Sequence, residues 1–83
     1  MKIRVKLISV QGPPPPGFDK DGTGALEAAQ GATLGDLLER LELPGHETYV
    51  TLINGEPVPQ DRRSARTVCT DDTLTIFPPI EGG

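Results

Sequence analysis

Leu34, Leu37, Leu38 and Leu41 stand at i, i+3, i+4 and i+7, a single apolar stripe at helical spacing, with Glu39, Arg40 and Glu42 on the opposite side. A lone amphipathic helix has nothing of its own to bury that stripe against, so the rest of the chain must supply an apolar surface. The helix has readable ends. Thr33 occupies the N-cap position, Asp36 three residues on makes an acidic version of the capping box, and Pro44-Gly45 is a stop signal. No cofactor-binding pattern accompanies the leucines, which read as core.

The other patterned segments have a period of two. Ile3, Val5 and Leu7 alternate with Lys2, Arg4 and Lys6, predicting a strand from about Lys2 to Val10. Gly24 to Gln30 reads as a weaker second strand with Leu26 and Ala28 inward. Between them residues 11–24 form a proline- and glycine-rich loop insertion; its run Pro13 to Pro16 supplies no ladder donors and reads as solvated chain rather than a ligand for a proline-reading domain. Beyond the helix, Tyr49 to Ile53 followed by Asn54-Gly55 and Glu56-Pro57-Val58 is a hairpin signal, and Pro57 and Pro59 confine the return strand to a short edge pairing. Gln60 to Asp72 is polar and irregular, with a turn at Asp71-Asp72. The last strand, Thr73 to Phe77, places Leu74 and Ile76 on one face and Thr75 and Phe77 on the other. The order strand, strand, helix, hairpin, strand predicts an α+β domain over residues 1–77, a mixed sheet of four to five strands with one main helix on one face. If the first and last strands pair in parallel at its centre, with Arg4 and Lys6 on the face of Phe77, this is the β-grasp arrangement.

The bulk properties exclude several classes of function. Eighty-three residues make one small domain without room for an enclosed active site. The net charge is −4 and the eight Lys and Arg are scattered in sequence, so no nucleic-acid footprint is expected and a basic partner surface is the natural complement. The single cysteine, Cys69, permits no internal disulfide and no thiol set for zinc, which fits a reducing compartment. The charged, alternating N-terminus lacks the apolar run of about 7–15 residues of a signal peptide, and no segment approaches the roughly 18 apolar residues of a membrane span. A cytoplasmic protein that does not engage membranes is expected. His46 reads as a solvated loop histidine, Cys69 as a small, partly buried side chain without a neighbouring Lys or His, and Arg62-Arg63 with Arg66 as a solvated basic cluster. No catalytic constellation, metal site or bound cofactor is expected of this chain.

What remains is the end of the chain. Pro78-Pro79 fixes φ and removes two donors, directing residues 78–83 away from the sheet as an extended tail. Gly82 and Gly83 lack Cβ atoms and suit a narrow channel in a partner. The run Leu74-Thr75-Ile76-Phe77-Pro78-Pro79-Ile80-Glu81-Gly82-Gly83 resembles the end of the molybdopterin synthase small subunit, within the ubiquitin-like sulfur-carrier family that also holds the thiamine-pathway carrier. Ile53-Asn54-Gly55-Glu56-Pro57-Val58 resembles the family's central hairpin, and Ala32-Thr33-Leu34-Gly35-Asp36-Leu37-Leu38 the start of its helix.

The resemblance implies a β-grasp fold and a carrier whose Gly83 carboxylate an activating enzyme adenylates with ATP. A sulfur donor then replaces AMP to leave a thiocarboxylate, which the chain delivers to a large catalytic subunit or another sulfur acceptor. Gly83 would be the reacting residue and Phe77, Pro78, Pro79, Ile80, Glu81 and Gly82 the partner-binding ones. Molybdenum cofactor biosynthesis is the expected pathway, in which the chain is the small subunit of a two-subunit sulfurtransferase. Thiamine, tRNA-thiolation and cysteine pathways, and a ubiquitin-like modifier joined through Gly83, are the alternatives. The chain departs from the family in its proline-glycine insertion and in Thr70-Asp71-Asp72, a turn that usually carries a glycine.

Overall fold

A computed structural model of the chain describes residues 1–8, 17–41 and 48–78. Among them, five strands form one mixed sheet in the order β2-β1-β5-β3-β4, crossed on one face by a single α-helix. The strands are β1 (Lys2–Leu7), β2 (Thr23–Glu27), β3 (Val50–Ile53), β4 (Glu56–Pro57) and β5 (Thr73–Phe77), and the helix α1 spans Leu34–Leu41. The first and last strands do pair in parallel at the centre of the sheet, Val5 beside Leu74 and Leu7 beside Ile76; β2 and β3 flank them antiparallel. This is the expected β-grasp fold. β2 begins at Thr23, so the last two residues of the expected 11–24 loop belong to the strand.

The core lies between sheet and helix. Ile3, Val5, Leu74, Ile76, Leu34 and Leu37 are fully buried, joined by Leu38, Leu41, Ile53, Val68 and Ala28. The alternation of β1 is complete, each even-numbered residue exposed and each odd one buried. The capping box closes as the sequence predicts: the Thr33 amide donates to the Asp36 carboxylate at 2.9 Å and the Asp36 amide to Thr33 Oγ1 at 3.2 Å, satisfying helix N-terminal donors. Pro44-Gly45 lies outside the described residues.

Two turns fix the sheet's register. Asn54 and Gly55 both have positive φ, 53° and 85°, the backbone of a two-residue hairpin turn. The Asn54 side chain also accepts from the Thr73 amide and donates to Asp72, each at 2.9 Å, so the β3–β4 hairpin is tied to the start of β5. At the glycine-less turn before β5, Asp71 takes the left-handed conformation at φ 71°, one of the few residue types that tolerates it. Asn54→Ala is expected to cost about 1–2 kcal/mol in denaturant unfolding through the loss of these paired side-chain bonds.

Candidate docking face and carrier tail

The alternation that buries Leu74 and Ile76 against α1 sends Thr73, Thr75 and Phe77 to the other, helix-free face of the sheet. Register then decides their neighbours. Phe77 lies opposite Val50 on β3, Thr75 opposite Leu52, and Leu52 opposite Pro57 on β4. On the other side Lys6 stands beside Thr75 and Arg4 beside Thr73, as parallel pairing requires. Ile8, one step past the Leu7–Ile76 pair, holds the register by donating its amide hydrogen bond to the Ile76 carbonyl at 2.9 Å and falls beside Phe77. Ile8 is 43% exposed, the large apolar side chain most open to solvent among the described residues.

An apolar patch of Ile8, Phe77, Val50 and Leu52 therefore surrounds the end of β5, with Lys6 and Arg4 along one side. Phe77 takes the predicted face, but it and Pro78 are half-buried rather than fully exposed, because Phe77 has apolar neighbours on both flanking strands. Sequence reasoning missed Ile8, Val50 and Leu52. Their signal was the same period of two, read on the solvent face, but only the register brings three separate segments together. Pro79, Ile80, Glu81, Gly82 and Gly83 lie outside the described residues.

Two readings of other polar residues need correction. Arg63, expected in a solvated cluster, is 7% exposed. Its Nε donates to Thr51 Oγ1 at 3.3 Å, another guanidinium nitrogen donates to the Tyr49 carbonyl, and its backbone carbonyl accepts from the Gly35 amide at 3.0 Å. It thus connects the segment after β4 to both β3 and α1. Burial pushes its guanidinium below the ordinary arginine value, yet the group stays charged throughout the physiological range. Folding is disfavoured relative to a solvated arginine only while the group is charged, so any gain from this lowered value appears on raising the pH into the strongly alkaline range where arginine titrates. Arg63→Ala is expected to destabilise by about 2 kcal/mol, measured by denaturant unfolding, because it empties a packed position and strips partners from buried oxygens.

Cys69, expected to be partly buried, is a free exposed thiol in the turn before β5. The Asp72 carboxylate accepts from its amide at 2.8 Å and from the Asn54 side chain, so Asp72 serves the turn as expected. His46 lies outside the described residues. Among the described residues no cluster of His, Cys, Asp and Glu could hold a metal, and no helix is long and apolar enough to cross a membrane.

Three solved structures share the fold over nearly the whole chain. SAMP1 from Haloferax volcanii superposes with a TM-score of 0.66 at 22% identity, covering 100% of both chains. The thiamine biosynthesis protein ThiS from Geobacter metallireducens gives 0.65 at 18% identity, covering 96% of this chain and 99% of its own. The H. volcanii HVO 2177 protein gives 0.72 at 23% identity, with 100% of this chain and 87% of that one covered. No curated protein matches the sequence. The ThiS family model matches residues 16–83, from the end of the proline run through the helix, the hairpin, the central strand and the Gly-Gly tail. With that match over most of its length and a β-grasp sheet beneath it, the chain belongs to the ThiS family, a group of ubiquitin-like sulfur carriers.

Proposed function

We propose that the chain carries sulfur as a thiocarboxylate on Gly83 and delivers it as the small subunit of molybdopterin synthase. The observation that supports this most is where the tail leaves. β5 is the central strand, paired on both sides, and it ends at Phe77 within the one apolar patch of the helix-free face described above. A partner seated on that patch holds the root of the tail. The five residues after Pro78 span at most roughly 18 Å, enough to enter the partner's active site while the domain stays outside.

The chemistry asks little of the domain itself. The terminal carboxylate, with a reference pKa of about 3.3–3.7, is anionic at neutral pH, nucleophilic toward phosphorus and a poor acyl donor. One carboxylate oxygen attacks the α-phosphorus of ATP and pyrophosphate leaves. The resulting acyl adenylate has AMP as a leaving group, and a sulfur nucleophile from a donor displaces it to give the thiocarboxylate. ATP belongs to the activating enzyme, so this chain contributes the docking face, the arm and the carboxylate. Gly82 and Gly83 allow the close approach that an adenylation pocket demands. The ending Phe77-Pro78-Pro79-Ile80-Glu81-Gly82-Gly83 favours the molybdopterin synthase assignment; a thiamine, tRNA-thiolation or cysteine pathway would use the same arm.

A second reading, favoured by the likeness to the H. volcanii small archaeal modifier protein 1, is a protein modifier joined through Gly83 to a lysine. Both readings share adenylation and part at the acceptor. ATP–pyrophosphate exchange by an adenylating enzyme from the same cell tests the common step: exchange that requires this chain supports it, and exchange indifferent to the chain contradicts it. In that assay Phe77→Asp is expected to raise KM for the carrier about tenfold with little change in kcat, as for loss of an anchoring contact distant from the reacting atoms.

A further inference from the structure

The net charge of −4 suggests a basic partner, but the folded sheet distributes its charges differently. Lys2, Arg4 and Lys6 are all exposed on the helix-free face, in one row along β1 and leading to the apolar patch. The row is not uniform. Lys2 lies opposite Glu27, which also pairs with the N-terminal ammonium at 3.6 Å, and Lys2 and Arg4 share a shallow depression with Asp71. Lys6, nearest the patch, has Thr23 and Thr75 as its cross-strand neighbours, and Arg4 has Ala25 and Thr73. Neither Arg4 nor Lys6 thus has an acidic residue as a cross-strand partner, in contrast to Lys2. Of the acidic residues, Asp36, Glu39 and Asp61 lie on the helix and the segment after β4, away from this face, while Asp19 and Asp21 lie in the β1–β2 turn, the Asp19 carboxylate accepting from the amide of Thr23, opposite Lys6.

We infer that Arg4 and Lys6 form an electrostatic rim to the apolar patch, and that the surface docking there, that of the activating enzyme, carries aspartate or glutamate side chains around an apolar contact. The inference rests on the activation reading above and adds the chemistry of the partner. A cationic rim beside a desolvated apolar centre acts chiefly on the encounter rate and on partner choice, and its influence weakens as salt shortens the Debye length from about 10 Å at 0.1 M to about 3 Å at 1 M. The protein's overall negative charge opposes approach to an acidic surface, so the local rim must orient it.

The test is ATP–pyrophosphate exchange with the full chain and an adenylating enzyme from the same cell, followed over a sodium chloride series and with two charge-reversed chains. Arg4→Glu with Lys6→Glu alters the rim; Lys20→Glu with Arg62→Glu makes the same change in net charge at exposed positions elsewhere, and thermal melts confirm that both chains fold. The expected result is a fall in kcat/KM of at least about tenfold for the rim chain, carried by KM, and a change within about twofold for the control. For the unaltered chain kcat/KM should fall steadily with salt. Equal losses in both altered chains, no loss in either, or a salt-independent kcat/KM would overturn the rim while leaving activation intact. Absence of exchange with the unaltered chain would overturn the activation reading and the rim with it.

Discussion

Deleting Gly83, or adding one residue after it, is expected to abolish chain-dependent ATP–pyrophosphate exchange while leaving the midpoint of thermal unfolding where it was. The effect is all-or-none because the reacting carboxylate is the terminal one: deletion moves it back along the arm by about 3.3–3.6 Å, and extension converts it to an amide. Displacements on that scale are large against the tolerance of a catalytic geometry. Stability should not change, since the buried side chains of the described core all precede Pro78. A loss of stability comparable to a core truncation would mean that the end of the chain packs on the domain, and retained exchange would mean that the reacting group lies elsewhere.

Gly22→Val is expected to lower the unfolding free energy by about 3 kcal/mol or more, close to the whole stability of a domain this small. Gly22 has φ +83°, a conformation that β-branched residues avoid, and any Cβ there would collide with the backbone carbonyl of Leu7. The two residues cannot easily separate, because the Leu7 amide donates to the Gly22 carbonyl at 2.8 Å at the mouth of the β1–β2 connection. The Asp19 carboxylate secures the other side of the turn by accepting from the amides of Asp21 and Thr23, each at 3.0 Å. Gly24 is tight for a different reason: its missing side chain leaves room for the Phe18 ring, 2.7 Å from where a Cβ would stand. Urea unfolding of Gly22→Val that cost less than about 1 kcal/mol would show that the turn relaxes and that the account of it is wrong.

What could be read from the sequence was whatever depends on local spacing. The leucine stripe and the Thr33–Asp36 box defined the helix, Asn54-Gly55 defined the hairpin, and alternation in β1 and β5 assigned each side chain to a face, because these signals need only neighbours within a few residues. The central parallel pairing followed from the order of elements and placed Arg4 and Lys6 with Phe77 correctly. What escaped were properties created by register and long-range packing. Arg63 stands between Arg62 and Ser64 in an apparently solvated run, and only the return of its segment beneath β3 buries it on Thr51 and Tyr49. Cys69 is an exposed thiol in a turn whose backbone Asp72 holds, a contact that composition does not reveal. Ile8, Val50 and Leu52 form a patch only after three strands align, and net charge concealed the basic row because it averages over faces that never meet one partner.

The central claim is that Gly83 carries sulfur, and intact mass spectrometry of the protein isolated from its own cell tests it most directly. The account predicts a fraction of molecules ending at Gly83 in which one oxygen is exchanged for sulfur, enlarged by incubation with the activating enzyme, sulfur donor and ATP and removed by hydrolysis. Protein that never gains sulfur when all three are present, or that is found only as conjugates through Gly83, would contradict it.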